Sequence, residues 1–303
     1  MKVLVIGAQN IDIFAQSSIE YVLKDSNPSK IHLSFGGVGR NMAENLKRLG
    51  NDVHFLTVFA DDFFAKAAKQ SLIDMNINIL ESIDVKDQTN SIYMGIMDKD
   101  NDLFLGLNDM DIINELNIDV INSKIEYINT FDYLVIDNNL EETVISHIVN
   151  KFEDKIIVMD AVSAKKVNKL NNILSKINYL KLNHIELCEL AGEKNIMLSI
   201  NKLNNKGAKT LLITNQSEEI IVSTKNGLFK YKPLKIDEII NATGAGDAFI
   251  SGFTHGLING YSLDQRIDYA ISMAHLTLQS NNSTNEHITL KEVEIINEKL
   301  HRI

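Results

Sequence analysis

Across 303 residues, 45% hydrophobic and 23% charged side chains are enough to build a substantial core, which excludes a disordered chain, a collagen repeat or a small disulfide scaffold. Thirty basic against forty acidic residues leave a formal charge of −10, which opposes sequence-independent nucleic-acid binding because that needs positive surface to displace counterions. A small anion held at a helix terminus remains compatible with it. The lone cysteine, Cys188, excludes an intrachain disulfide and a thiolate metal cluster. No apolar run reaches the roughly 18 residues of a membrane span, and the first seven residues have the charge but not the apolar length of a signal peptide. The expectation is a soluble, cytoplasmic chain.

In chain order, residues 3–6 read as a short buried strand, and the polar stretch after it carries Asn10 and Asp12. Ligands of open α/β sheets gather outside the carboxyl ends of the strands. An Asp there is a good acceptor for vicinal sugar hydroxyls, and Asn10 can donate or accept; a plain Asx-turn has the same sequence. Residues 11–34 show no strong helix. Gly36-Gly37-Val38-Gly39-Arg40-Asn41 follows, its glycines admitting tight turns and close ligand approach, with Asn41 opening a predicted helix over 41–49 that it either caps or leaves free to hold a hydroxyl. This is not the dinucleotide fingerprint, since Met42 stands where the third glycine belongs; a flexible crossing between layers is the alternative. A strand over 53–59 and a helix over 62–75 come next. Residues 91–107 read as two strands around a turn at 98–102, with Ile92, Met94 and Ile96 on one face. Together with 11–34 they predict a small antiparallel sheet beside the main body. Such a sheet covers a cleft, pairs with a second copy, or is a plain packed hairpin.

Strands over 133–137, 156–160, 179–182 and 210–214, separated by helical patterns at 141–149, 168–177, 185–191 and 196–206, predict a mainly parallel sheet covered on both faces. Polar residues stand at the strands' carboxyl ends: Asp137-Asn138-Asn139, Asp160, and Asn183 with Glu186. Three positions apart, Asn183 and Glu186 are expected to share a helix face, a fair arrangement for hydrated Mg²⁺ near phosphates. Gly207-Ala208-Lys209-Thr210 is no P-loop, because its Gly and Lys are not adjacent. Helices over 245–258, 262–278 and 289–300 close the chain. The sharpest signal precedes the first of them: Asn241-Ala242-Thr243-Gly244-Ala245-Gly246-Asp247. Small residues there expose backbone N–H groups at a helix N-terminus, where developing negative charge can be met. Asp247 falls in the first turn. A carboxylate beside an anion hole suits deprotonation of a hydroxyl that attacks a phosphoryl group; a glycine-rich turn capped by Asp is the bland alternative.

With these residues in place, the chain resembles the ribokinase-like (PfkB-type) carbohydrate kinases from end to end. Gly36-Gly37…Asn41 is similar to the family's first signature, residues 241–249 to its second, and Asn183…Glu186 to its N-x-x-E element. The resemblance implies an α/β three-layer sandwich with a mainly parallel central sheet, one domain over 1–303. It implies a β lid from 11–34 and 91–107 that often makes a dimer contact. It implies Asp247 as catalytic base and Gly244, Ala245 and Gly246 as the anion hole. Asp12 and Asn41 would bind sugar hydroxyls, and Asn183 with Glu186 would place Mg²⁺ and ATP, Glu186 nearest the metal. By position, Asn10, Gly36, Gly37 and Asn138 join the substrate side, and Thr214 and Thr243 the nucleotide side.

Within the family, residues 36–46, Asn108-Asp109-Met110-Asp111-Ile112 and Asp160-Ala161-Val162-Ser163 are most similar to the branch that phosphorylates the C-nucleoside pseudouridine. The implied acceptor is its 5′-hydroxyl, with Asn108, Asp109 and Asp111 as candidates to read the base; Asp111 capping a short helix is the alternative. Another nucleoside, ribose or fructose as substrate, or a non-catalytic nucleoside- or sugar-binding protein, are the rival readings. Asn241 stands where many members have Asp near a monovalent-cation site, which argues against K⁺ dependence. Residues 214–219 lack the glycine-containing pattern often found beside the nucleotide. The partners implied are a small-molecule substrate and a second copy of the chain, with neither nucleic acid nor membrane.

Overall fold

The computed structural model describes residues 2–100, 102–236 and 238–300; Met1 of the N-terminal segment and Asn101 of the predicted turn lie outside the described residues. The strands are β1 (Lys2–Ile6), β2 (Asn10–Gln16), β3 (Lys30–Gly36), β4 (Asp52–Leu56), β5 (Val58–Phe59), β6 (Ile83–Asp84), β7 (Ile92–Met97), β8 (Leu103–Asp109), β9 (Tyr133–Asp137), β10 (Ile156–Asp160), β11 (Tyr179–Asn183), β12 (Leu211–Thr214), β13 (Ile220–Thr224) and β14 (Gly227–Tyr231). The helices are α1 (Val38–Arg48), α2 (Phe63–Asp74), α3 (Ile118–Ser123), α4 (Ile125–Ile128), α5 (Glu142–Lys151), α6 (His184–Ala191), α7 (Ile196–Asn205), α8 (Ala245–Ile258), α9 (Leu263–Leu278) and α10 (Leu290–Leu300).

Val3–Ile6 of β1, Leu134–Ile136 of β9 and Ile157–Met159 of β10 are fully buried. Runs that short and that apolar are strands covered on both faces. They lie in an eight-stranded sheet of order β14-β13-β12-β11-β10-β9-β1-β4. Its six strands from β12 to β4 run parallel, as helical crossovers require. β13 and β14 extend it antiparallel. β1 has β4 on one side and β9 on the other, so the connections run opposite ways from β1 and open a crevice at the carboxyl ends of β1 and β9. Helix α8 is buried from Asp247 to Ile258, apolar on nearly every side as a helix inside the core must be. No helix among the described residues is long and apolar enough to cross a membrane.

A second sheet of order β3-β2-β7-β8 arises from the two segments set apart in the sequence. It is mixed rather than antiparallel throughout: β2 pairs parallel with β7, while β2–β3 and β7–β8 are antiparallel. The long connection between β2 and β7, which crosses the main body, makes the parallel pairing possible. Two further expectations change. The strand predicted over 53–59 breaks at Thr57, whose N–H donates to Ser82 Oγ at 3.1 Å, and Val58–Phe59 then pairs with β6 instead. The helix predicted over 168–177 is two 3₁₀ turns, Val167–Leu170 and Leu174–Lys176; Asn168 and Asn171 interact with each other and with local backbone instead of continuing a helix.

Candidate active site

Gly244 (φ +81°) is the N-cap of α8, and no side chain caps the helix N-terminus. A Cβ at Gly244 would overlap the Ser283 carbonyl oxygen. The left-handed turn therefore suits glycine, and the first-turn amides of Gly246 and Asp247 are left without a capping side chain. Asp247 lies in that turn, 8% exposed. Its Oδ2 accepts a hydrogen bond from Asn41 Nδ2 at 2.8 Å, and Asn41 Oδ1 in turn accepts from Ser283 Oγ at 3.3 Å. Asn41, three residues into α1, thereby orients the Asp247 carboxylate. Burial and then the nearby Asp160 charge push the Asp247 carboxyl up to about 7, against the pull of Asn41 and Lys181. Such a group changes protonation at neutral pH, as a general base for a hydroxyl requires.

Asn10 and Asp12 lie on β2, which follows the carboxyl end of β1. They alternate with Ile11 along β2, so both point away from the apolar core that buries Ile11. Asn10 Oδ1 is buried without a hydrogen-bond partner. The Asp12 carboxylate lies so close to Gly36 that a Cβ there would overlap it; hence the glycine where β3 meets α1. Burial raises Asp12 to about 6, with Arg40 pulling the other way. An acceptor left open and a carboxylate beside it are the groups that a polyhydroxylated ligand satisfies. Gly37 turns the chain at φ +96° against the backbone of Ala8 and Gln9. Asn108 shares a row with Asp12 and Tyr93 across β2, β7 and β8. Asp109 pairs with Ile92 and so lies on the opposite face, away from the row that holds Asp12. Asp111 opens a 3₁₀ turn, Asp111–Glu115, as an exposed first-turn acid.

Of the remaining predicted residues, Asn138, Asn183, Glu186 and Thr214 fall at or just past the carboxyl ends of parallel strands. Asn183 and Glu186 do not share a helix face. Asn183 is the N-cap of α6, its Oδ1 accepting from Glu186 N–H at 2.9 Å while Glu186 Oε2 accepts from Asn183 N–H at 2.8 Å. This reciprocal capping box fixes both side chains and leaves Glu186 Oε1 outside it. Asn138 is fully buried; its amide donates to the carbonyls of Ala161 (3.1 Å) and Lys166 (2.8 Å), and its Oδ1 has no hydrogen-bond partner. Asp137 is likewise internal, accepting from Ala8 N–H and Asn139 N–H, both at 2.8 Å. Thr214 ends β12 opposite Asn183, and Thr243 is exposed, its N–H donating to Asn241 Oδ1 at 2.9 Å. Asn241 Nδ2 donates to the Asn281 carbonyl at 3.0 Å, an amide contact joining the two loops.

One central residue escaped the sequence reading. Lys181 on β11 is buried, its Nζ 3.1 Å from Asp160 Oδ2, and its ammonium fills the space that a Cβ on Gly246 would need. Despite its burial the Asp160, Glu186 and Asp247 charges hold its pKa above the usual lysine value. A fixed cation thus lies against the first turn of α8. The signal was available: a lysine inside the otherwise apolar strand Tyr179-Leu180-Lys181-Leu182 is costly unless paired. The adjoining turn is strained, with Val162 at φ +67° and its N–H held by Asp160 Oδ1 at 2.7 Å.

The sequence profile of pfkB family carbohydrate kinases matches residues 1–289. This chain belongs to the pfkB family. Membership makes it an ATP-dependent kinase of a small sugar or nucleoside, and the two segments that resemble the family's signatures meet at the Asn41–Asp247 hydrogen bond. Among relatives of this pfkB protein, the uncharacterized sugar kinase YeiI of Escherichia coli (strain K12) is 27% identical over 93% of this chain and 79% of its own. The pseudouridine kinase of the same organism is 26% identical over 96% and 95%. A putative sugar kinase from Clostridium perfringens superimposes with a TM-score of 0.88 at 26% identity, covering 98% of this chain and 95% of its own. The fold is the ribokinase-like three-layer sandwich.

Proposed function

We propose that this pfkB kinase transfers the γ-phosphoryl group of ATP to the 5′-hydroxyl of pseudouridine, giving pseudouridine 5′-phosphate. The observation that carries the reaction type is the buried Asp247 in the uncapped first turn of α8, hydrogen-bonded by Asn41. The near full-length likeness to a pseudouridine kinase supports the acceptor.

Among the described residues no group of three or more His, Cys, Asp or Glu converges as a metal cage. Mg²⁺ that arrives on nucleotide phosphates keeps its waters and needs only one or two carboxylates, and the donor set here fits that: Glu186 Oε1 is free of the capping box, with Asn183 beside it. Bound Mg²⁺ and ATP supply the transferable phosphoryl group and neutralise its charge. Asp12 and Asn10 hold the ribose hydroxyls, fixing the 5′-oxygen near Asp247. Asp247 Oδ1, opposite the oxygen held by Asn41, accepts the hydroxyl proton as that oxygen attacks. The Gly246 and Asp247 amides and the α8 dipole meet the negative charge that develops. Lys181 keeps Asp160 paired and adds a positive charge behind that turn. The second sheet acts as a lid that excludes water. Its outer rows, Leu33-Ile13-Met94-Leu107 and Ile31-Ala15-Ile96-Leu105, expose Ile31, Leu33, Leu105 and Leu107, and they pair with the same face of a second copy.

A coupled ADP-release screen over pseudouridine, uridine, cytidine, adenosine, ribose and fructose tests the acceptor. The reading requires pseudouridine to give the highest kcat/KM. Uridine or free ribose equalling it removes the substrate while leaving the kinase.

A further inference from the structure

The face of the second sheet that carries Asp12 also carries two aromatic rings laid down on glycines. Register places Asp12, Tyr93 and Asn108 in one row of β2, β7 and β8, and Phe14, Gly95 and Gly106 in the next. Successive residues alternate faces, so Phe14 and Tyr93 share the side of Asp12, and Ile13 and Ile92 take the side packed on the core. A Cβ on Gly95 would sit 2.7 Å from two ring carbons of Phe14, and one on Gly106 would sit 3.1 Å from the Tyr93 hydroxyl. The two rings therefore lie across the backbones of β7 and β8 rather than standing up from them. Their centroids are 5.9 Å apart with planes inclined by 60°. Both residues are half-buried. Glycine inside two adjacent strands weakens them and marks a place where something must approach closely. Here the approaching groups are the two rings, held low on the sheet.

We propose that Phe14 and Tyr93, bedded on Gly95 and Gly106, form the subsite for the planar heteroaromatic ring of a nucleoside. The inference rests on the nucleoside-kinase reading and deepens it. A ribose held by Asp12 carries its aglycone toward Tyr93, one strand spacing away (about 4.8 Å). Every base presents a π-face, so this platform selects nucleosides over free sugars. Discrimination among bases falls to hydrogen-bonding groups, of which Asn108 is in the right row and Asp109 is not. A bare pentose or hexose leaves both rings uncovered and gains nothing from them.

The test compares Phe14→Leu, Tyr93→Leu, Tyr93→Phe and Gly95→Ala with the wild-type chain, measuring dissociation constants for pseudouridine, ribose and ATP by calorimetry. Each leucine variant is expected to weaken pseudouridine about ten-fold, within the span of base–aromatic stacking, with ribose and ATP unchanged within about two-fold; unchanged ATP binding also certifies the fold. Tyr93→Phe keeps the ring and retains binding. Gly95→Ala keeps both rings but displaces Phe14, and weakens pseudouridine alone. Wild-type affinity for pseudouridine in both leucine variants and in Gly95→Ala overturns the platform and leaves the kinase and its substrate standing. A wild-type chain that binds ribose as tightly as pseudouridine overturns both.

Discussion

At the scale of single residues, the site is governed by acids buried beyond what isolated carboxylates tolerate. Asp247 must be ionised to take a proton, and its carboxyl is pushed up to about 7. The kcat/KM of the wild-type enzyme is therefore expected to rise with pH through about 7 and level off above it; a profile flat from pH 5.5 to 8.5 contradicts the assignment. The same shift has a stability sign. The folded state holds this proton more tightly than the unfolded chain, whose carboxyl has the ordinary value of 3.8. That contribution is fully present below about pH 4 and is lost as pH rises through about 7. Asp247→Asn, neutral at every pH, should thus melt above wild type at pH 8, by a margin of order 1 kcal/mol or more, and converge with it near pH 4. Thermal melts at the two pH values decide this. Asp12→Ala removes the proposed acceptor for sugar hydroxyls, with an expected loss of roughly 1–3 kcal/mol. Separate titrations should show weakened nucleoside binding and intact ATP binding. Asp12, Asn41 and Asp247 were legible because small polar residues beside glycines at strand and helix ends carry a chemical signature. Lys181 was not, since its partners Asp160 and Gly246 are brought to it only by the fold.

At the scale of elements, what could be read depended on how local the cause was. The parallel strands and α8 follow from their own apolar runs. Glu186 and Asn183 form a local motif too, but a spacing of three fits a shared helix face as well as it fits the reciprocal capping box that puts Asn183 outside the helix. The break at Thr57 depends on Ser82, which lies 25 residues away in sequence, so no window around 53–59 contains it. The β13–β14 hairpin escaped notice because β14 is nearly all exposed and lacks an apolar stripe. Gly244 offers an element-scale test. Gly50 has the same φ of +81° with open space around it, whereas a Cβ at Gly244 overlaps Ser283 O. Gly50→Ala should cost only the left-handed strain, about 1–2 kcal/mol. Gly244→Ala should cost clearly more and also lose phosphoryl transfer, because the first turn of α8 must move. Equal melting temperatures for the two variants refute that account of the turn.

At the scale of the whole molecule, one side of the second sheet carries Asn10, Asp12, Phe14 and Tyr93, and the other packs on the core at Ile13 and Ile92 while leaving Ile31, Leu33, Leu105 and Leu107 exposed. The aliphatic side was foreseen from the Ile92, Met94, Ile96 alternation. The mixed pairing was not, since a parallel β2–β7 contact joins segments 81 residues apart by the Ile11–Ile92 register. Flat apolar edges invite association, so sedimentation at micromolar concentration should give twice the 34.0 kDa chain mass, and a strict monomer removes the proposed pairing. In the proposed reaction the Asp247 carboxylate, in the first turn of α8, takes the proton of the nucleoside hydroxyl that attacks the transferred phosphoryl group. Its most direct test is the turnover of Asp247→Asn with saturating pseudouridine and ATP, alongside the affinity of each. The expected loss in kcat is about 10² to 10⁴, with both affinities held within a few-fold. Turnover within ten-fold of wild type would contradict it.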